Sequence, residues 1–325
     1  MAAEIQLAET IKDADEAYAL AKSIFLDGSN SAAEELKILS WDQAIPPFLM
    51  IAKDGQRIVG LARVCPTFMQ WKSRSFRVAG LSSICVDPNY RGKGLGRKIM
   101  DATVQFCDRE EFDFTYLIAR KKADYFYQKF DYIGASSYPK ITISEYSSQK
   151  SALTKPIKGI ELRPFNPKHA NQYHGFYSCN YTYCFGATLR PVSVWENIAK
   201  RALLMGLTFH EIWHHSVLVG YGIADDHEIV EYAVNLDWPD HLVAASFGFL
   251  IKDQQSIELS IPHHHRVVQK LTDHDLIFTS RRCLYGGHMI RWNKYSTTKI
   301  EYNIGTTNPA TSPLPFFAIN RLDEV

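Results

Sequence analysis

The strongest constraint on the fold is a short glycine-rich turn between a strand pattern and a helix pattern. The run "RVAGLSSICVDP" is apolar and alternating, which predicts a strand. It is followed by "NYRGKGLGRKIM", residues 89–100, where apolar residues begin to recur at helical spacing. The local order is therefore strand, turn, helix.

The composition of this turn is typical of an anion-binding site. The first amide groups of a helix have no intrahelical partner and carry partial positive charge, so a phosphate group fits there. Glycine lets a ligand approach the backbone and adopts positive φ without strain. Arg91, Lys93, Arg97 and Lys98 add positive charge. A tight turn with solvated basic residues remains the alternative.

Two common phosphate-binding motifs are excluded. A Walker loop requires G-x-x-x-x-G-K-[ST], and no Ser or Thr follows a lysine of this turn. The dinucleotide fingerprint requires G-x-G-x-x-G, whereas the glycines here are spaced G-x-G-x-G. A different coenzyme is indicated.

The rest of the first half mixes helix and strand patterns. Apolar spacing predicts one helix in "DADEAYALAKSIF", with Asp13 as its N-cap, and another in "SAAEELKIL". Asp54 and Gly55 predict a hairpin within "PFLMIAKDGQRIVGLARV". After the glycine turn come a helix at about 95–109, a strand in "FTYLIAR", a helix in "ADYFYQKF" and a strand around "KITIS".

A polar stretch with a proline, "EYSSQKSALTKPIKG", predicts a linker. From about residue 160 a similar order of α and β elements begins again, which indicates duplication of one α+β unit. We therefore predict a first domain at 1–147, a linker at 148–158 and a second domain at 159–325. The last of these includes an irregular tail, "NIGTTNPATSPLPFF".

Composition limits the class of protein. Among the 325 residues, Lys and Arg (36) nearly balance Asp and Glu (35), which argues against a broad nucleic-acid or anionic-membrane surface. No apolar run has the length of a signal sequence or a membrane span. The six cysteines form no C-x-x-C pair, which indicates reduced thiols. We predict a cytoplasmic protein that binds neither nucleic acid nor membrane.

Two linked motifs resemble those of the GNAT superfamily of acyl-CoA-dependent N-acyltransferases. R-x-x-G-x-G follows the strand ending "ICVDP", and "YFYQKFDYIGAS" is similar to the family's aromatic segment on the next helix. Their combination most resembles the enhanced-intracellular-survival acetyltransferases, in which a degenerate second copy follows the active domain. The resemblance implies tandem GNAT folds, each a mixed, mostly antiparallel sheet flanked by helices, and acetyl-CoA as co-substrate. The third, sterol-carrier-like domain of those acetyltransferases is not expected here, because the sequence is too short to include it.

The same resemblance implies which residues bind the coenzyme. Backbone amides of the turn would hold the pyrophosphate, and the preceding strand would pair with pantetheine. The implied residues are Ile84, Cys85, Val86, Arg91, Gly92, Lys93, Gly94, Leu95, Gly96 and Arg97.

Acetyl transfer needs a neutral amine, a polarised carbonyl and a proton for the departing thiolate. Tyr127 matches the family's general acid, and a phenol remains protonated at neutral pH. A core position is the alternative, because Tyr125, Phe126 and Tyr127 are adjacent and at least one must face inward. Cys85 has apolar neighbours, which favours packing over nucleophilic catalysis.

The general base and the acceptor site are less defined. Strand positions that hold Glu or His in other family members hold Gly80 and Ser82 here, so water or an amine that arrives deprotonated would replace the base. Asp27, in the loop that in the family recognises the acceptor, Ser82 and Tyr138 are candidate substrate residues. A solvated loop is the alternative for Asp27, and a core position for Tyr138.

Two histidine-containing runs invite a metal interpretation. His210–His214 matches H-E-x-x-H, but that zinc motif requires a helix and the surrounding residues favour a strand. His263, His264 and His265 follow a proline and are typical of a solvated helix start. We predict no metal.

The predicted activity is acetyl-CoA-dependent transfer to a primary amine of a small molecule, catalysed by the first domain. The second domain would bind no coenzyme, because its corresponding turn, "VNLDWPDHL", lacks the motif. A homo-oligomer is possible. The alternatives are a non-catalytic acyl-CoA sensor and, among enzymes, a protein-lysine acetyltransferase.

Overall fold

The computed structural model describes residues 3–25, 46–71, 73–119, 123–134, 139–144, 158–250, 256–261, 265–267, 278–282 and 287–295. Within these ranges the chain forms two β-sheets, each flanked by helices. The predicted helix at "SAAEELKIL" and the candidate substrate residues Asp27 and Tyr138 lie outside the described residues.

The first half of the chain contains seven strands and three helices among the described residues. They are β1 (Glu4–Leu7), α1 (Ile11–Phe25), β2 (Phe48–Asp54), β3 (Arg57–Trp71), β4 (Arg74–Val86), α2 (Leu95–Arg109), β5 (Phe114–Ile118), α3 (Asp124–Gln128), β6 (Ile133–Gly134) and β7 (Pro139–Ser144).

The second half follows a similar order. Its described elements are β8 (Ile160–Pro164), α4 (Ala170–Tyr181), β9 (Ala187–Thr188), α5 (Trp195–Leu204), β10 (Thr208–His214), β11 (Val217–Ala224), β12 (Glu228–Val234), α6 (Asp240–Leu250), β13 (Ser256–Leu259), β14 (Phe278–Arg282) and β15 (His288–Trp292).

Both sheets are mixed and mostly antiparallel, which confirms the predicted fold class. The first has the order β1-β2-β3-β4-β5-β15-β6, with β9 paired to β3, and the second has the order β14-β7-β13-β12-β11-β10-β8. The parallel pairs are β4 with β5 and β12 with β13. We call the first sheet with α1–α3 the N-terminal unit and the second with α4–α6 the C-terminal unit.

Each unit buries helices on both sheet faces. In the N-terminal unit α1 packs against a cluster that includes Ile51 and Leu61, whereas α2 contributes Ile99 to a cluster on the other face. Helix α1 begins at Ile11, where the amide of Asp13 donates to Thr10 Oγ1 at 3.0 Å. Thr10 therefore takes the capping role predicted for Asp13, whose carboxylate instead pairs with Lys53 Nζ at 2.6 Å.

The two units exchange strands. β7 pairs with β13 and β14 in the second sheet, and β15 pairs with β5 and β6 in the first. Arg291 on β15 forms a buried two-point ion pair with Asp108 of α2, at 2.8 Å for each contact. Each sheet therefore contains strands from both halves of the chain. The division into domains at 1–147 and 159–325 stays a prediction.

Candidate active site

The end of β4 carries a bulge and extends beyond its pairing with β5. The two strands pair from Val78 with Phe114 to Leu81 with Leu117, and among the described residues the pairing ends there. Just beyond, the register between β4 and β3 shifts, and Ser83 has φ of 49°. A bulge bends the strand that carries it, so residues 82–86 leave the line of β5. We call the unpaired stretch beyond Leu81 and Leu117, between the ends of β4 and β5, the gap.

The turn after β4 is fixed by Asp87. Its backbone amide donates to Val59 at 2.9 Å, one carboxylate oxygen accepts from the amide of Asn89 at 2.9 Å, and the other pairs with Arg57 at 2.6 Å. Arg91 Nε donates to the carbonyl of Val86 at 3.1 Å. The turn thus has a defined shape before any ligand is considered.

The glycines have separate roles in this shape. Gly92 and Gly94 have φ of 76° and 77°, values at which other residues are strained. Gly94 is the N-cap of α2, and no side chain of the described residues caps the helix there. The first intrahelical bond runs from the amide of Lys98 to Gly94 O at 3.1 Å. The preceding amides of the first turn therefore have no partner within the helix.

Gly96 keeps the space in front of the helix open. A Cβ at this position would lie 3.6 Å from Val86 Cγ2 and 4.0 Å from Phe126 Cζ. These are ordinary van der Waals distances, so a Cβ at this position would not clash with the protein. Glycine here instead leaves room for a ligand.

A cavity of about 300 Å³ opens at the N-terminus of α2. Its lining combines the glycine turn, the end of β4 and one face of α3. The lining residues are Val86, Tyr90, Arg91, Gly92, Gly94, Leu95, Gly96, Arg97, Phe126 and Lys129.

Seven of the ten predicted coenzyme residues line this cavity, and three do not. Ile84 packs against the core under α2, and Cys85 packs under α1 on the opposite sheet face. Lys93 lines a separate depression of about 460 Å³ on the other side of the turn, together with Lys98 and Asp54. The backbone of residues 84 and 85 still belongs to the part of β4 that faces the gap.

Three residues of the cavity were not predicted from the sequence: Tyr90, Phe126 and Lys129. Phe126 and Lys129, the residue that ends α3, are three positions apart, which places them on one side of the helix. That spacing was visible in "YFYQKF" and is the signal that could have identified them. Tyr90 donates to Asp54 Oδ2 at 2.7 Å, a contact between distant residues that has no local signal.

The three adjacent aromatic residues of α3 have different environments. Tyr125 is 77% exposed, whereas Phe126 and Tyr127 pack against the core cluster under α2. The Tyr127 ring lies 6.2 Å from that of Tyr132, between centroids. Burial raises the pKa of the Tyr127 phenol, which keeps it protonated at neutral pH.

Cys85 is buried and inert. Burial raises the pKa of its thiol to about 12, and the opposing effect of Arg91 is smaller. The thiolate is the reactive form, so Cys85 is no nucleophile at neutral pH. This agrees with its predicted packing role.

The candidate substrate residue Ser82 lies at the gap. It is the first residue of β4 beyond the last pair with β5, and it faces Arg63 across the β3–β4 ladder. The Ser82 hydroxyl is buried and has no hydrogen-bond partner among the described residues.

The H-E-x-x-H run forms part of strand β10, as predicted. Glu211 is buried, accepts from Trp213 Nε1 at 2.8 Å and contacts His169 Nδ1 at 2.6 Å and the Tyr173 hydroxyl. His265 is buried rather than solvated, and burial lowers the pKa of its imidazole to about 3. In the described part of the chain, no three His, Cys, Asp or Glu side chains are grouped as metal ligands would be.

Residues 14–132 match the model of the acetyltransferase (GNAT) family. This stretch contains the bulged strand, the glycine turn and α3. This part of the chain belongs to the GNAT superfamily. It is thus an acyltransferase of a family that binds acyl-CoA, and the predicted resemblance is confirmed.

Solved GNAT-like structures share the fold across both units. A probable N-acyltransferase of unknown function from Enterococcus faecalis is 14% identical, with a TM-score of 0.68 over 90% of this chain and 73% of that one. A GCN5-related N-acetyltransferase from Anabaena variabilis is 15% identical, with a TM-score of 0.65 over 89% and 73%. Eis1 from Mycobacterium abscessus is 14% identical, with a TM-score of 0.59 over 90% and 73%.

At these identities the likeness concerns the fold alone. A search of curated proteins found no match. Among the residues that the structure describes, none of the helices has both the length and the apolar character needed to cross a bilayer.

Proposed function

We propose that the N-terminal unit transfers an acetyl group from acetyl-CoA to the primary amine of a small molecule. The observation that carries this proposal is the meeting of three features at one cavity: the uncapped first turn of α2, the end of β4 at the gap, and one face of α3. A thioester coenzyme needs sites for its diphosphate, for its pantetheine arm and for its reacting end, and these three features provide them.

The chain's own residues divide these tasks. The amides from Gly92 to Arg97 bind the diphosphate, and the side chains of Arg91 and Arg97 add positive charge. The main chain of residues 84–86 pairs with the amide groups of the pantetheine arm in the gap. Val86 and Phe126 provide its apolar walls.

Tyr127 acts as the general acid in this proposal. It follows Phe126, which lines the cavity, and its phenol remains protonated because burial raises its pKa. When the amine bonds to the carbonyl carbon and the carbon–sulfur bond breaks, the Tyr127 hydroxyl donates its proton to the departing thiolate. This proton neutralises the negative charge that develops on the sulfur as it leaves.

A two-part measurement tests the proposal. Calorimetry with acetyl-CoA should give one binding site per chain, and detection of released thiol should give turnover with at least one member of a panel of amino sugars, polyamines and amino acids. A peptide bearing lysine serves as the comparison for a protein acceptor. Failure to bind any CoA species would refute the proposal, and binding without thiol release from any acceptor would favour the acyl-CoA sensor.

A further inference from the structure

The exchanged strand β15 brings a histidine to the gap between β4 and β5. His288 is the first residue of β15 and is paired in register with Ile118, the last residue of β5. Ile118 is the first β5 residue beyond the last pair with β4, just as Ser82 is on β4. A row across the sheet therefore runs from Ser82 through Ile118 to His288.

These three side chains share one face of the sheet. Successive residues of a strand alternate between faces. Leu81, Leu117 and Met289 belong to the core cluster under α2 and α3, so each of their neighbours Ser82, Ile118 and His288 faces the other way. Tyr127 packs on the first face and His288 projects from the second.

This arrangement matches a requirement of the reaction. In attack of an amine on a thioester, the nitrogen and the sulfur become separate substituents of one tetrahedral carbon, so the base at the nitrogen and the acid at the sulfur can approach from different directions. A thioester in the gap would present its sulfur to the phenol on one face. The amine would then approach from the other face, where His288 lies.

We propose that His288 is the general base of the acetyl transfer, supplied by the second half of the chain. This inference rests on the proposed function. His288 accepts a proton from the acceptor nitrogen as that nitrogen bonds to the carbonyl carbon. The carbon–sulfur bond breaks, Tyr127 protonates the thiolate, and both side chains then return to their starting states by exchange with solvent.

The surroundings of His288 suit this role. The residue is 6% exposed, whereas the adjacent Ile118 is 37% exposed, so the row combines a shielded base with an open approach for the amine. The other titratable side chains on this face of the neighbouring strands include Arg63, Cys65 and Tyr116, and none of them is a carboxylate. Adjacent strands are about 4.8 Å apart, and one strand, β5, lies between the backbone of His288 and the gap. In this proposal the imidazole reaches across Ile118 to the amine, directly or through one water.

Two substitutions of His288 and one control test the assignment. His288→Gln keeps a polar side chain of similar length but cannot accept the proton. We expect kcat to fall by about 100-fold or more, with the acidic limb of its pH profile lost and the affinity for acetyl-CoA unchanged. His288→Ala should show the same loss, partly restored by added imidazole. His227→Gln, at an exposed hairpin of the C-terminal unit, should behave as wild type.

The outcomes separate the two proposals. If the wild-type protein transfers acetyl groups and His288→Gln retains the same pH profile of kcat, or if imidazole fails to restore any turnover to a folded His288→Ala protein, His288 is not the base and the proposed function stands. If the wild-type protein transfers no acetyl group, the proposed function fails and the role of His288 fails with it. A thermal denaturation curve on each variant identifies loss of folding.

Discussion

In both units the chain leaves a central strand through the same kind of turn. The residues that follow this turn differ between the units. After β4, Asp87 accepts a hydrogen bond from the amide two residues later at 2.9 Å, and after β12, Asn235 does the same for Asp237 at 3.0 Å. Both strands pair antiparallel with the strand before them and parallel with a later one. The backbone plan is therefore shared.

The residues that follow make the difference. The N-terminal turn continues with three glycines and several basic residues, whereas the C-terminal turn has Asp237 and Pro239 before α6. Proline offers no amide hydrogen, and the carboxylate of Asp237 repels a phosphate. Trp238 is 6% exposed, so this turn also fills the space with a ring. An anion site thus depends on the residues after the shared bend and not on the bend itself.

If the chemistry belongs to the N-terminal unit alone, loss of the Tyr127 hydroxyl should remove most of the protein's turnover. Tyr127→Phe should lower kcat by about 100-fold to 10,000-fold, because the thiolate loses its proton donor, and should leave acetyl-CoA affinity nearly unchanged. Steady-state thiol release and calorimetry measure the two quantities. Tyr125→Phe, on the exposed side of the same helix, is the matched control. Turnover that survives in Tyr127→Phe would mean that another group is the acid.

The units should nevertheless unfold together, because β15 is anchored by the buried Arg291–Asp108 pair. Arg291→Met leaves a buried carboxylate without its partner, which costs about 3–5 kcal/mol of unfolding free energy. Denaturant titration followed by tryptophan fluorescence measures this loss. The double variant Arg291→Met with Asp108→Leu should recover much of it. Two separate transitions in the wild-type protein would contradict the coupling.

The comparison of turns predicts one coenzyme site per chain. Gly94→Val should raise the dissociation constant for acetyl-CoA by about 10-fold, because a left-handed conformation costs other residues about 1–2 kcal/mol and binding would have to restore it. Asp237→Ala, in the other turn, should change neither affinity nor stoichiometry. Calorimetry gives both values, and two acetyl-CoA molecules per wild-type chain would break the comparison.

The smallest effect is expected at Cys85. Since burial holds the pKa of its thiol at about 12, iodoacetamide at pH 8 should label the exposed Cys179 and leave Cys85 unmodified. Peptide mass spectrometry distinguishes the two sites. Cys85→Ala should retain nearly wild-type turnover, and a labelled or essential Cys85 would reopen covalent catalysis.

Local features of the site were predictable because local residues cause them. The glycines, the first turn of α2 and the aromatic run of α3 are contiguous in sequence, and their conformations follow from φ preferences and helix spacing. The exclusion of a zinc helix at His210–His214 succeeded for the same reason, since β-branched and aromatic neighbours favour a strand.

Which sheet each strand joins was not predictable in the same way. "KITIS" was expected as a strand and is one, and "HMIRW" is another, but nothing local to either run indicates which sheet it joins. That choice depends on contacts such as Arg291 with Asp108, which are 183 residues apart. His288 escaped notice at the sequence level because its position beside β5 exists only after the exchange.

The strand exchange also constrains the order in which the protein folds during its synthesis. The first sheet cannot be completed until residues near 290 have left the ribosome, since β15 lies between β5 and β6. Until then β5 has an open edge, which is a site for wrong pairing between nascent chains. The unit that is synthesised first is therefore among the last parts of the molecule to finish folding.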